Sequence, residues 1–189
     1  MMRNFMRNQL KYNLLFFIGV LTLFGCATQS VKSDKLEQLS FETIAHNRGL
    51  KIEVKNLSYQ AFFKSQEWSE FWEKTFTGER PSVDFSKYFA LCVFQGLKKT
   101  GGYSINIDQV ELEEKESTLH VSLKLKEPDS GEPVDLGETN PSIIAKIGRP
   151  ETFPEKFDPS SLRMSFYRLD NSTRIKIQVY ALIRRSSPN

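Results

Sequence analysis

The sequence predicts a mainly β fold, an antiparallel sandwich or partly open barrel of about seven strands with one amphipathic helix packed against it. Three observations lead to this prediction. Short segments with alternating apolar and polar residues follow one another along most of the chain. A single segment has the 3.6-residue period of a helix. The regular strand–helix rhythm that indicates a parallel sheet is absent from the sequence.

The first predicted elements are a strand at residues 50–56 and a helix at residues 65–76. In the strand LKIEVKN, apolar and charged residues alternate, which indicates a half-buried strand. In the helix, Ser65 is the predicted N-cap and Gly78 lies just past the end. Four aromatic residues lie on one helix face, which we expect to pack on a sheet, an exposed binding stripe being the alternative. They are Trp68, Phe71, Trp72 and Phe76.

The rest of the chain is predicted to form strands. The segment 87–96 is apolar on both faces, which indicates a central strand, and it holds Cys92, expected to be a buried and unreactive thiol. The strand after Tyr103 changes the parity of its apolar residues, which predicts a β-bulge near Asp108–Gln109. Four further strands are predicted, the last two joined as a hairpin through DNST, at residues 117–126, 141–148, 162–169 and 174–183.

The longest irregular segment lies at residues 127–141. It is acidic and contains three prolines. A loop of this length is uncommon in a compact domain unless it has a function. A contact with a partner and a solvated edge loop are both compatible with the sequence.

The N-terminus has the pattern of a secretory signal. Basic residues precede an apolar run at residues 14–25, and this run of 12 residues is shorter than the roughly 20 needed to cross a membrane. It ends in LFGC, which resembles the lipobox of bacterial lipoproteins. That resemblance implies cleavage before Cys26 and acyl chains, such as palmitate, on its thiol. We therefore predict a signal peptide at 1–25, a tether at 26–40 and one β-rich domain at 41–185, anchored in the bacterial envelope.

The acyl chains are expected to hold the protein at the outer membrane, on its periplasmic face or at the cell surface. Without the signal peptide the chain has 23 basic and 23 acidic residues. This balance does not favour nucleic-acid binding, which needs a basic face.

Candidate catalytic groups are few. His46 and His120 have no ligand-spaced cysteine or carboxylate nearby, and His120 is expected to face solvent. Asp84 is expected to cap the turn before the central strand. The sequence offers no nucleophile with an identifiable base, so we predict no enzymatic activity, no metal site and no cofactor.

A glycine-rich segment, QGLKKTGGYSINI at residues 95–107, lies between two predicted strands. It is predicted to be a hairpin in which the glycines supply a positive φ. The hairpin would first build the sheet and secondly present an edge to a partner. The candidate partner-binding residues are Lys99, Thr100, Gly101, Gly102 and Tyr103.

Several motifs occur in a fixed order within residues 81–148. VDF precedes a strand that ends in FQG, and TGGY and TNP follow. This order resembles the C-terminal domain of the PrcB family, bacterial lipoproteins described as subunits of a surface protease complex. The resemblance implies a non-catalytic, membrane-anchored lipoprotein that binds and stabilises a partner protein, such as a secreted or surface protease.

The alternative function is a β-sandwich or barrel lipoprotein that carries a small apolar ligand. An interior cavity would favour this carrier. A filled core with an exposed edge or apolar patch would favour partner binding.

Overall fold

The computed structural model describes residues 36–47, 49–150, 162–170 and 173–181. These residues form ten strands and one helix, which confirms the predicted mainly β fold with a single helix. In chain order the elements are β1 (Leu36–Gln38), β2 (Phe41–His46), β3 (Ser58–Phe62), α1 (Ser65–Thr75), β4 (Tyr88–Phe94), β5 (Ser104–Glu113), β6 (Thr118–Lys126), β7 (Ser142–Gly148), β8 (Arg163–Asp170), β9 (Thr173–Ile177) and β10 (Tyr180–Ala181).

The strands form two five-stranded sheets. The first sheet has the order β1-β5-β6-β8-β9 and the second the order β10-β3-β4-β7-β2. The chain passes from one sheet to the other between β1 and β2, β4 and β5, β6 and β7, β7 and β8, and β9 and β10. Strand pairing is antiparallel except between β6 and β8 and between β10 and β3, which are parallel. The sheets are thus mainly antiparallel, as predicted. The parallel pair of β6 and β8 forms because β7, which lies in the other sheet, separates these two strands along the chain.

The main core lies between the two sheets. The alternate residues Phe89, Leu91 and Val93 of β4 pack there against apolar residues of β5, β6 and β7. Burial of each such side chain stabilises the fold by roughly 1.5–3 kcal/mol. The other face of β4 is buried too, which confirms that this strand is central in its sheet. The predicted bulge is also confirmed, as a register shift between Ile107 and Gln109.

A second apolar layer covers the outer face of the second sheet. Here α1 packs its aromatic residues against Phe62, Cys92 and Phe94. The indole nitrogens of Trp68 and Trp72 donate to backbone carbonyls at 3.2 and 3.0 Å, so their polar atoms are satisfied. The prediction that the aromatic helix face is core is confirmed. The predicted N-cap is wrong by one residue, because Lys64 occupies the cap position and makes no side-chain cap bond.

Two of the predicted segments, the strand at 50–56 and the tether at 26–40, differ from the structure. The predicted strand at 50–56 is wrong: Leu50 makes only an isolated bridge to Phe76, and the Lys51 amide donates to Thr75 O at 2.8 Å. This segment therefore lies against the end of the helix and does not form a strand of a sheet. The predicted tether extends too far, because Leu36–Gln38 pair with β5 and the side chain of Leu39 is buried.

The final predicted strand, 174–183, is divided within the described residues. β9 pairs with β8 as the predicted hairpin, and β10 then joins the other sheet. No helix among the described residues is long and apolar enough to cross a membrane. The predicted signal peptide and Cys26 lie outside the described residues.

Candidate functional site

The segment 95–103 connects the two sheets. β4 pairs with β3 and β7, whereas β5 pairs with β1 and β6, so the predicted hairpin is wrong. Nine residues separate the two strands, more than the two to five of an ordinary hairpin loop. This length lets the chain cross the roughly 10 Å between packed sheets.

This connection contacts the acidic loop 127–141. Lys98 and Thr139 form an antiparallel bridge with N···O distances of 2.8 and 2.9 Å. The Thr139 hydroxyl donates to Thr100 O at 2.9 Å, and the Gly101 amide donates to Asp135 O at 2.8 Å. The two segments that sequence reasoning treated as separate candidates thus form one surface. We call residues 98–103 together with 127–141 the Gly-rich surface.

Only one of the two neighbouring glycines is required by the backbone. Gly102 has a φ of +82°, and a Cβ there would lie 2.8 Å from both Pro128 Cβ and Val134 Cγ1. Gly101 is outside the left-handed region, and its Cβ would meet Asp135 at 3.4 Å, an ordinary contact. Gly102 therefore provides both the turn and room for the acidic loop to approach.

The predicted partner-binding residues lie together on this surface but differ in accessibility. Lys99 and Gly102 are exposed, whereas Thr100, Gly101 and Tyr103 are half-buried. The Lys98 amine lies 5.1 Å from the centre of the Tyr103 ring, a distance that suits a cation–π contact. Part of the Tyr103 ring is thus in contact with Lys98 of the same chain. Lys99 is the charged residue of the set, and it is exposed.

An open pocket of about 400 Å³ lies beside these residues. The side-chain amide of Asn140 donates to the backbone carbonyl of Val54 at 2.9 Å. The side-chain oxygen of Asn47 accepts a hydrogen bond from the backbone amide of Ser142 at 3.1 Å. These bonds fix the rim of the pocket, whose lining is both polar and apolar. It is lined by Asn47, Gly49, Leu50, Gly101, Gly102, Tyr103, Thr139, Asn140 and Pro141.

The acidic loop is internally ordered. The Asp129 amide donates to the Glu132 carboxylate at 3.0 Å, and Lys126 lies 3.2 Å from the same carboxylate. These contacts, the Asp129 amide first, lower the pKa of Glu132. Leu136 projects from this loop with 88 % of its surface exposed. Sequence reasoning missed Leu136, although a large apolar residue within a run of acidic and turn residues was a visible signal.

A polar network lies elsewhere, on the outer face of the first sheet. His120 contacts Tyr167 Oη at 3.1 Å and Glu113 at 3.0 Å, and Arg174 pairs with Glu111 at 2.7 Å. The His120 side chain is only 14 % exposed, so the expectation that it faces solvent is wrong. Tyr167 and Arg174 come from distant strands, which the spacing of residues could not reveal.

The other chemically notable side chains have structural surroundings. Asp84 accepts the Ser86 amide at 3.0 Å, which confirms the predicted turn cap. The Ser86 hydroxyl and amide lower the pKa of Asp84. Burial raises the pKa of the Cys92 thiol, in agreement with an unreactive core cysteine. No group of three or more His, Cys, Asp or Glu suited to a metal ion occurs in the part of the chain that the structure describes.

Part of the chain is similar to a known protein family. Residues 90–148 match the family model described as PrcB C-terminal. No curated protein and no solved structure shows significant similarity to the chain. The matched region begins within β4, ends with β7 and includes the whole Gly-rich surface, while the VDF turn lies before it. The predicted resemblance to the PrcB-like family is therefore confirmed as a similarity of residues 90–148 to that family's model.

Proposed function

We propose that this chain is a non-catalytic lipoprotein that binds and stabilises a secreted or surface protease through its Gly-rich surface. The observation that carries the proposal is the position of the family match. Within residues 90–148, the two long irregular segments contact each other and form a single surface. The strands within residues 90–148 supply side chains of the core between the two sheets. This surface is therefore the part of the matched region most available to a partner.

Pre-organisation supports a binding role. Backbone hydrogen bonds join the two segments at Lys98–Thr139 and Gly101–Asp135. A surface held in one conformation loses little conformational entropy when a partner docks. The family description supports association with a protease complex, and the proposed residues of contact on this side are Lys99, Thr100, Gly101, Gly102 and Tyr103.

The packing of the sandwich disfavours the alternative of an apolar carrier. The space between the sheets is occupied by buried side chains of both sheets, including Phe89, Leu123 and Ile147. Two pockets of the described residues, about 400 and 340 Å³, are open to the surface. Partner binding therefore remains the favoured function.

The proposed anchor is Cys26, carrying acyl chains in the bacterial outer membrane. The described fold begins at Leu36, ten residues after Cys26. An extended chain of that length reaches about 35 Å at most, at roughly 3.3–3.6 Å per residue. The proposed partner would accordingly be bound close to the membrane surface.

The test is capture of the partner from the organism's own membranes by the full lipidated chain. Lys99→Glu and Thr100→Ala should weaken capture while leaving the melting temperature unchanged, because Lys99 is exposed and Thr100 contributes its backbone carbonyl to the fold. Lys176→Glu, an exposed lysine on β9 outside the family match, is the matched control. Undiminished capture by stable variants across residues 98–104 would exclude docking on this segment.

A further inference from the structure

Leu136 is exposed to an unusual degree. It is 88 % exposed, whereas the other exposed large apolar side chains of the described residues are between 38 % and 47 % exposed. Single exposed apolar residues are normal on protein surfaces. The others, Leu36, Ile52 and Ile175, nevertheless remain more than half covered. Leu136 contributes almost none of its surface to the described fold.

The backbone on either side of Leu136 is fixed. Asp135 O accepts the Gly101 amide one residue earlier, and Thr139 bridges to Lys98 three residues later. Val134 lies where Gly102 leaves room for its side chain. The leucine is thus presented from an ordered loop, and its docking would require little additional ordering of the backbone.

The surroundings of Leu136 are negatively charged. Residues 127–141 contain five acidic residues and no basic residue. Asp135 and Glu138, close to Leu136 on either side, are both exposed. Glu132 adds a third carboxylate to the loop, with Lys126 at 3.2 Å from it. Electrostatic complementarity therefore favours a partner that is basic where it faces this loop, whereas the segment 98–103 contributes the exposed Lys99 to the same surface.

We propose that Leu136 is the apolar anchor of the partner interface, and that it enters an apolar pocket of a partner protein whose rim carries lysines or arginines. An apolar centre surrounded by a polar rim is the usual arrangement of protein–protein interfaces. The inference rests on the proposed function and adds the anchoring residue and the chemistry of the partner. Gly102 acts as a positioning residue, because its lack of a side chain leaves room for the loop that carries Leu136.

Site-specific photocrosslinking tests this inference. The benzophenone amino acid p-benzoyl-phenylalanine replaces Leu136, Lys99 or Ile175, one at a time, in the full lipidated chain in its own cells. Ile175 is an exposed apolar residue outside the family match and serves as the control. After irradiation, mass spectrometry identifies the crosslinked peptide of each adduct.

The inference predicts an adduct at Leu136 whose partner peptide contains apolar residues next to lysine or arginine. The purified partner should then bind the Leu136→Ser chain roughly ten- to a hundred-fold more weakly, the fold-change for losing one buried leucine. It should bind the Ile175→Ser chain within about two-fold of the wild type, as expected for a residue outside the interface.

The outcomes separate this inference from the proposed function. An adduct at Lys99 without one at Leu136 would overturn the anchor and leave partner binding at the Gly-rich surface standing. An adduct at Leu136 on an acidic peptide, or unchanged affinity of Leu136→Ser, would also overturn it. Adducts only at Ile175, or at none of the three positions, would overturn both proposals.

Discussion

Gly102 and Gly101 are neighbours with opposite structural requirements, so exchanging each for alanine gives a matched test. Gly102→Ala places a side chain at a φ of +82°, where non-glycine residues cost roughly 1–2 kcal/mol. The new Cβ would also lie 2.8 Å from Pro128 and Val134. Overpacking of this kind costs about 1–3 kcal/mol. The two effects together predict a loss of about 2–5 kcal/mol.

Gly101→Ala meets neither obstacle. Its Cβ would lie 3.4 Å from Asp135, and the backbone is outside the left-handed region. We expect its free energy of unfolding to stay within about 1 kcal/mol of the wild type, helped by the lower entropy of the unfolded alanine chain. For Gly102→Ala, by contrast, the predicted loss of about 2–5 kcal/mol corresponds to a melting temperature roughly 4–20 °C lower, at about 2–4 °C per kcal/mol.

Urea unfolding followed by tryptophan fluorescence measures this difference. The chain has two tryptophans, Trp68 and Trp72, both buried in the helix layer, so their emission reports loss of the fold itself. Amide exchange at Gly101 and Thr139 reports opening of the Gly-rich surface. Equal unfolding midpoints for the two variants, with equal exchange, would refute the assignment of Gly102 as the required glycine.

Two further predictions concern the helix layer and the anchor. Trp72→Ala should lower the free energy of unfolding by roughly 3–5 kcal/mol, because Trp72 is 3 % exposed and its ring lies 4.6 Å from that of Phe76; an unchanged melting curve would contradict the burial. Cys26→Ser should abolish labelling of the chain by a palmitate analogue in cells, and equal labelling of wild type and variant would exclude Cys26 as the lipidation site.

The elements with strong periodicity could be predicted from the sequence. The aromatic face of α1, the doubly buried β4 and the bulge after Ile107 each follow from which residues are apolar and at what spacing. These patterns report one-sided or two-sided burial within a single element. They do not report which strand lies beside which, and this is where the predictions failed.

The strand at 50–56 and the hairpin at 95–107 show the two kinds of failure. At 50–56 the apolar residues alternate in the sequence, but their burial does not: Val54 is buried and Ile52 exposed, in a segment that runs beside the end of α1. At 95–107, the glycines correctly indicated a turn with positive φ, but a connection between sheets needs such a turn as much as a hairpin does. The pairing of β4 with β7 and of β5 with β1 joins residues far apart in the chain, which a local pattern does not show.

The candidate site was predictable in its parts and not in its assembly. The TGGY segment and the acidic loop were each recognisable from composition, but their contact joins residues such as Gly101 and Asp135 that are far apart in the chain. Geometry also explains why a glycine is needed at position 102. The close approach at Gly102 comes from the chain's own loop, so the need for glycine at that position does not depend on a partner.

This division assigns different tasks to neighbouring residues of the Gly-rich surface. Gly102 holds the acidic loop in place, and its replacement should impair folding and partner binding together. Leu136 and Lys99 are exposed and lie outside the two core clusters, so their replacement should leave stability nearly unchanged. Because Leu136 is almost fully exposed, its side chain contributes little to the free energy of folding. A loss of partner affinity without loss of stability at Leu136 would therefore be direct evidence that this part of the surface serves binding.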